Sequence, residues 1–524
     1  MSWVGICDLS DVLPDTGVCA LVNGRQIAVF RCDDSVFAID NYDPASEANV
    51  LSRGLVGDMK GERVVASPIY KHHFSLMTGR CLEDSSKSVN VYPARVLDGR
   101  IWVNATPQQQ ALRVKRRLVV IGNGMAGMRT VEELLQLAPD LYDVTVFGAE
   151  PHVNYNRILL SPLLAGEKSV GEIILHPPEW YTEHGVTLHS GDPAVQIDRR
   201  RRVVRSQKGI EVPYDRLLIA TGSKPIVLPV PGAQLRGVVT FRDLADVDAM
   251  LEAARCFRKA VVIGGGLLGL EAANALVRRG MDVTVVHLFA SLMERQLDES
   301  AAALLKTSLE SRGLKFHMPA KTAAVLGTGR VTGVQFEDGV ELEADLVVMA
   351  AGVRPNTELA SGAGLRCGRG VLVDDTMQTF DPNIYAVGEC VQHRNSTFGL
   401  VAPLWEQARV CAVHLAEIGV SRYRGTLAAT QLKVTGIELY SAGDFAGTEG
   451  TEALVLRDHR RGVYKRLVIR DNKLSGAVLY GDARDGAWYF ELMTTGRDIT
   501  TLRDHLLFGP AAALAEDALA RDAS

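Results

Sequence analysis

Two patterns of apolar and polar positions divide the chain. Up to about residue 106 the pattern has a period of two in short runs, seen in ALVNGRQIAVF, SVFAID, RVVASPIY and ARVLDGRIWVNA. Such alternation puts every second side chain on one face of a strand, and the Asn-Gly and Asp-Gly pairs are hairpin turn signals. No helical period interrupts it, so residues 1–106 are predicted to be all-β. The polar, unpatterned stretch TPQQQALRVKRR follows as a linker. At Leu118 the pattern becomes a continuous apolar strand, a glycine turn and a helix, LVVIGNGMAGMRTVEELLQL, followed by a strand, DVTVFGAE. The unit returns over residues 260–288 as AVVIGGGLLGLEAANALVRRGMDVTVVHL. An apolar run of this kind is a strand buried on both faces, and two strand–turn–helix–strand units predict two doubly wound α/β nucleotide-binding domains. Beyond residue 412, LKVTGIELYSAGDF, ALVLRD and YKRLVIRDNKLSGAVLYGD with a closing helix predict an α+β domain over 413–510. Residues 511–524 read as a polar, alanine-rich tail.

Composition narrows the function classes. At roughly 150 residues per domain, 524 residues predict three to four domains. Apolar residues make up 47% and charged residues 23%, a globular balance. Lys plus Arg number 57 against 62 Asp plus Glu, a dispersed net charge of −5 that offers no footprint for nucleic acid or an anionic membrane. The basic run Arg199–Arg202 reads as a solvated hairpin face. No apolar stretch reaches the ~20 residues of a membrane span. The N-terminus MSWVGICDLSD has neither basic region nor apolar core, so a cytoplasmic protein is expected. The 8 cysteines form no CxxC pair, which argues against a local redox disulfide or a zinc knuckle. None follows Cys411, so a siroheme–iron-sulfur centre or a C-terminal 2Fe–2S module is not expected here. No metal ligand is assigned.

The glycine turns carry the chemistry. A dinucleotide pyrophosphate sits on a helix N-terminus, where free N–H groups and the positive dipole end face it. In the first turn, Gly122-Asn123-Gly124-Met125-Ala126-Gly127, Gly122 permits the bend, Gly124 leaves room for phosphate and Gly127 lets helix and strand pack closely. Glu150, after the next strand, is placed to accept the hydroxyls of an adenosine ribose. The second turn, Gly264-Gly265-Gly266-Leu267-Leu268-Gly269, follows the same logic, but His287 stands where an acid would select NAD. Neither NADH nor NADPH is selected by this pattern, and His287 reads equally as a ribose contact or a plain strand-end histidine.

Leu217-Leu218-Ile219-Ala220-Thr221-Gly222, Ala350-Ala351-Gly352 and Ile384-Tyr385-Ala386-Val387-Gly388-Glu389 complete an order of signals. It resembles that of the two-dinucleotide-binding flavoprotein reductases. The resemblance implies bound FAD, with NAD(P)H as reductant. It also implies an FAD domain at 117–228 and 348–412, interrupted by an NAD(P) domain at 229–347. By the same resemblance, Gly388-Glu389 contacts the ribityl and pyrophosphate part of FAD, and Glu150 with Arg157 serves its adenosine end. Glu271 would hold the nicotinamide carboxamide, or else is a helix N-terminal carboxylate favoured by the dipole. YNRILLSPLLAGE lacks the cysteine of peroxidase-like members. That segment, with VTVVHLFASLMERQLD, IYAVGECVQHR and GLVAPLWEQA, resembles the front half of the large subunit of assimilatory NAD(P)H nitrite reductases.

The N-terminal segments NYDPASEANVLSRGLVGD and ASPIYKHHFSLMTGRCLED resemble the Rieske-like small subunit of the same enzymes. The positions that ligate iron in a Rieske domain correspond to Asn41, Asp43, Ser67 and Tyr70, and His72 and His73 lack thiolate partners. No iron-sulfur cluster is therefore expected. The resemblance implies an electron-transfer component whose redox partner is a siroheme nitrite reductase or a nitrate reductase subunit, and it leaves a homodimer open. The alternative is a stand-alone ferredoxin- or rubredoxin-reductase-like enzyme with the N-terminal domain as a docking module.

Overall fold

The computed structural model describes residues 3–513 apart from 34, 60, 61, 85, 86, 108–114, 428, 433 and 435. Most of the linker and residues 514–524 of the tail lie outside the described residues. The linker's last two residues are already strand, since the first core strand is Arg116–Ile121. The chain divides into two compact units, Met1–Lys115 and Arg116–Ser524.

The first unit is built from strands, as the period-two pattern predicts. Thr16–Val22 and Arg25–Cys32 form a hairpin with Val22 opposite Arg25, so Asn23-Gly24 is its two-residue turn. Ala94–Leu97 and Arg100–Asn104 repeat the arrangement around Asp98-Gly99. These two hairpins lie in different sheets, and a separate three-stranded sheet joins Leu55–Met59, Glu62–Ala66 and His73–Ser75. Inward-facing Ala28, Phe30, Ile39, Val65 and Phe74 make one apolar cluster, and Val29, Ala38, Ile101 and Val103 another.

The second unit contains two parallel five-stranded sheets. In the first, the spatial order is Val186–His189, Tyr142–Phe147, Arg116–Ile121, Arg216–Ile219, Ile384–Ala386. In the second it is Val238–Thr240, Leu346–Met349, Lys259–Ile263, Asp282–Val286, Lys315–His317. The chain thus leaves the first sheet at Ile219 and returns to it at Ile384, with all strands of the second sheet in between. The buried strand residues Leu118, Val119 and Val120, and Val261 and Val262, explain why these strands read as continuous apolar runs. Helix Met125–Leu137 packs its Met128, Val131 and Leu134 face with Val410, Cys411 and Leu415 of helix Val401–Leu415.

The C-terminal part is an antiparallel five-stranded sheet ordered Ala429–Gln431, Leu439–Gly443, Lys473–Tyr480, Val463–Arg470, Glu452–Asp458. Helix Gly486–Thr495 covers it through Tyr489 and Leu492. Among the described residues no helix is long and apolar enough to cross a membrane.

Candidate active site

Both glycine turns adopt one backbone plan. Gly122 has φ +116° and Gly264 φ +135°, and a Cβ on either would collide with a carbonyl oxygen of the neighbouring strand end, that of Ala220 or Ala350. Only glycine fits such a bend. Gly124 and Gly266 are the N-caps of helices Met125–Leu137 and Leu267–Arg278, and nothing lies within 4 Å of where their Cβ atoms would be. That open space above free helical N–H groups is what an approaching phosphate requires. Gly127 and Gly269 press against the carbonyl oxygens of Gly122 and Gly264, which closes each helix onto its strand.

A cavity of about 1420 Å³ opens at the first turn. Its walls include Gly122, Asn123, Gly124, Met125 and Ala126, and it continues past Thr221, Gly222 and Gly352 to Gly388 and Glu389. Glu150 and Arg157 line it as an ion pair. Tyr155 donates its hydroxyl to the second Glu150 oxygen at 2.6 Å, and Arg157 Nη1 donates to the Arg242 carbonyl at 2.9 Å. Burial pushes the Tyr155 phenol well above its usual value, so it stays protonated as a donor. The far wall reaches Leu267, Leu268 and Glu271 beside the second turn. Gly127, Gly264, Gly266, Gly269 and His287 stand behind or beside the cavity and do not form its wall.

The strand-end signals meet where the sheet order demands. Thr221 Oγ1 donates to the Asn356 carbonyl at 2.8 Å, and the Gly388 N–H donates to Gln407 Oε1 at 2.9 Å. A Cβ at Gly388 would stand 3.0 Å from Ala126 Cβ, so the Gly-acid strand end abuts the first helix N-terminus. Glu389 is paired with Arg242 and accepts from Ser223 Oγ at 2.7 Å. Among the described residues, buried Arg242 Nε has no hydrogen-bond partner.

Glu271 differs from one of its two readings. Helix Leu267–Arg278 begins four residues earlier, so Glu271 lies in its second turn, beyond the carboxylate-favouring first turn. It is 6% exposed and accepts from Ser161 Oγ of helix Leu160–Ala165. Sequence reading also missed Arg242, Ser223 and Gln407, and the wall supplied by Thr430, Gln431, Tyr440, Ala487 and Phe490. FRDLAD around Arg242 reads as an ordinary helix start, and no local spacing ties it to Glu389.

At the Rieske-like positions, Asn41, Asp43 and Ser67 are buried and Tyr70 is 62% exposed. Asp43 accepts from Ser67 Oγ at 2.6 Å, Ser46 Oγ at 2.8 Å and the Ala45 N–H at 2.8 Å. Burial alone would raise the Asp43 carboxyl, but these hydrogen bonds outweigh it and hold it below its ordinary value. Asn41 donates to Gln26 Oε1 at 3.1 Å and accepts the Ser52 N–H at 2.7 Å. An amide, a carboxylate and a hydroxyl already satisfied by protein partners do not fit a cluster that needs two thiolates and two imidazoles. His73 is paired with Glu83.

Comparison with known proteins places these features. Residues 116–412 match the family described as pyridine nucleotide-disulphide oxidoreductase, residues 2–104 a Rieske-like 2Fe–2S domain, and residues 429–497 a rubredoxin NAD+ reductase C-terminal domain. Over 386 residues the chain is 48% identical to a nitrite reductase (NAD(P)H) of Bacillus subtilis (strain 168), a match covering 74% of this chain and 48% of that protein. It is 45% identical over 393 residues to the assimilatory nitrate reductase electron transfer subunit of the same organism, covering 75% and 51%. This chain therefore spans about half the length of the curated relatives it matches. The crystal structure of a covalent putidaredoxin reductase–putidaredoxin complex aligns with TM-score 0.69 and 25% identity, over 78% of this chain and 99% of that one.

Proposed function

The chain belongs to the pyridine nucleotide-disulphide oxidoreductase family, and on that premise we propose that it passes electrons from NAD(P)H through FAD to a partner protein, as the electron-transfer component of an assimilatory nitrite or nitrate reductase. The observation that carries this reading is the pair of matching glycine turns beside one cavity of about 1420 Å³, above the ~300–1,000 Å³ typical of a single-ligand pocket. When bound, FAD supplies the exchange of a hydride for electrons that can leave toward a partner.

In this reading, residues 117–228 and 348–412 hold FAD. The N–H groups at Met125 and Ala126 receive its pyrophosphate, Gly388 and Glu389 face its ribityl part, and Glu150 with Arg157 receives its adenosine end. Residues 229–347 hold NAD(P)H, with Gly264, Gly266 and Gly269 shaping the phosphate seat. Glu271, positioned by Ser161, holds the nicotinamide carboxamide. Residues 413–510 close the cavity through Tyr440 and Phe490, excluding water from the reacting atoms. Residues 1–106 serve docking and hold no iron-sulfur cluster. The partner is a siroheme nitrite reductase or a nitrate reductase subunit, and the site of action is the cytoplasm.

A second reading, a stand-alone rubredoxin- or ferredoxin-reductase-like enzyme, draws support from the C-terminal match over residues 429–497. One experiment separates the two. The purified chain should hold FAD without stoichiometric iron, reduce ferricyanide with NAD(P)H, and leave nitrite untouched until a siroheme subunit is added. Iron at roughly two atoms per chain, or ammonia formed by the chain alone, would refute the first reading. Efficient turnover with rubredoxin and none with the siroheme subunit would favour the second.

A further inference from the structure

Strand Asp282–Val286 ends beside the second glycine turn, and His287 follows where an acid ordinarily accepts adenosine ribose hydroxyls. The histidine is turned inward. It is 8% exposed, its Nδ1 accepts the Gly265 N–H at 3.1 Å, and its Nε2 lies 3.0 Å from Glu294 Oε2. A backbone N–H can only donate, so Nδ1 is bare, and the ring N–H on Nε2 donates to the Glu294 carboxylate. The imidazole is thus a spacer between the turn and a carboxylate. A Cβ at Gly265 would lie 2.7 Å from the imidazole Cγ, so glycine leaves room for the ring. The Met293 N–H donates to the Gly265 carbonyl at 3.0 Å, which ties the segment bearing Glu294 to the same turn. The Glu294 side chain remains 31% exposed, within reach of a ligand from solvent. Following His287 in sequence, Leu288 and Phe289 are 53% and 50% exposed, and the Phe289 ring stands edge-on to His287. An exposed apolar pair beside the histidine that holds the acceptor suits the face of a purine.

We propose that Glu294, oriented by His287, accepts the adenosine ribose hydroxyls of the nicotinamide nucleotide and makes the second site select NADH over NADPH. This rests on the reading of that turn as the NAD(P)H seat. A carboxylate accepts a hydrogen bond from a 2′-hydroxyl and repels a 2′-phosphate. Arg295, the next residue in sequence, is exposed, and its charge would act in the opposite sense.

The test uses the FAD-loaded full chain and calorimetric titration with ADP-ribose and 2′-phospho-ADP-ribose, which carry the adenosine end and no redox chemistry. The unmodified chain should bind ADP-ribose at least about tenfold more tightly. Glu294→Gln should weaken ADP-ribose binding by about tenfold without weakening the phosphorylated analogue. His287→Ala should act in the same direction, and Arg295→Ala should leave the preference in place. Flavin absorbance and melting temperature report whether each variant is folded. Equal or tighter binding of the 2′-phosphate, or an unchanged preference in Glu294→Gln, would overturn the proposal. If Gly266→Glu leaves ADP-ribose binding intact, the assignment of the second turn itself fails and the proposal falls with it.

Discussion

At the first turn Asn123 lies between its two glycines, and at the second Gly265 does. Around them the backbones agree: the bend glycines sit at φ +116° and +135°, each against a strand-end carbonyl. The braces do not agree. Asn123 accepts the Tyr181 hydroxyl at 2.8 Å, and its carbonyl accepts Asn154 Nδ2 at 2.8 Å. Asn154 Oδ1 meets His176 Nδ1 at 2.9 Å, and His176 Nε2 meets Glu132 at 2.7 Å, so the chain of contacts returns to the turn's own helix. The second turn is joined to the segment bearing Glu294 by His287 and by the Met293 N–H on the Gly265 carbonyl, and among the described residues no chain of contacts of the first kind leads back to its own helix. The comparison teaches that the two bends share one backbone while the side chains around them differ, and on the proposed reading those side chains decide which nucleotide is held and how rigidly. A tightly closed brace suits a cofactor that stays, and an open one a nucleotide that exchanges.

The sharpest way to break that comparison is to place charge in both seats. Gly266→Glu should lower NAD(P)H-dependent dye reduction by about a hundredfold or more while the flavin stays bound, and Gly124→Glu should yield a flavin-free chain. Absorbance spectra and ferricyanide assays read both, and flavin loss from Gly266→Glu would mean the turns are assigned the wrong way round. Next in size are the bends. Gly122→Ala and Gly264→Ala should each destabilise the chain by about 2–4 kcal/mol, seen as a lower melting temperature. A neutral result at either would show that its bend can relax. Arg157→Lys removes a forked contact shared by Glu150 and the Arg242 carbonyl, and should weaken FAD by about tenfold, with little change in NADH KM.

The smallest effect concerns acid. The hydrogen bond to His176 holds the Glu132 carboxyl below its ordinary value, against the opposing effect of burial. A carboxyl lowered in the folded state stabilises fully above its unfolded value of 4.5 and loses that contribution as pH falls through the lower folded value. Melting curves at pH 6 and below pH 4 should therefore differ less for Glu132→Gln than for the unmodified chain. An identical difference in both would detach Glu132 from the first brace.

Much of the fold was legible because its requirements are local in sequence. Val22-Asn23-Gly24-Arg25 closes a hairpin within four residues, and each glycine turn needs its bend, gap and close approach within six. Buried parallel strands announce themselves because both faces are covered and every position must be apolar. The α+β character of the C-terminal part likewise followed from short alternating strands and a closing helix. For the candidate site, the glycines and strand-end acids were legible, but their partners were not. Arg242 is paired with Glu389 across 147 positions, and Ser161 donates to Glu271 across 110. Nothing in either local pattern marks such a pair.

The sequence alone determined where the two strand-to-helix bends lie, because at φ +116° and +135° a Cβ would collide with a strand-end carbonyl, so only glycine is accepted and the requirement leaves its mark on the residue type itself. Only the tertiary structure decided that Glu271 is buried against Ser161, that Tyr440 and Phe490 wall the cavity, and that His287 turns inward between the Gly265 N–H and Glu294. Those outcomes depend on which distant groups share a buried space, and a polar group taken from water must find whichever partner the packing brings within hydrogen-bond reach.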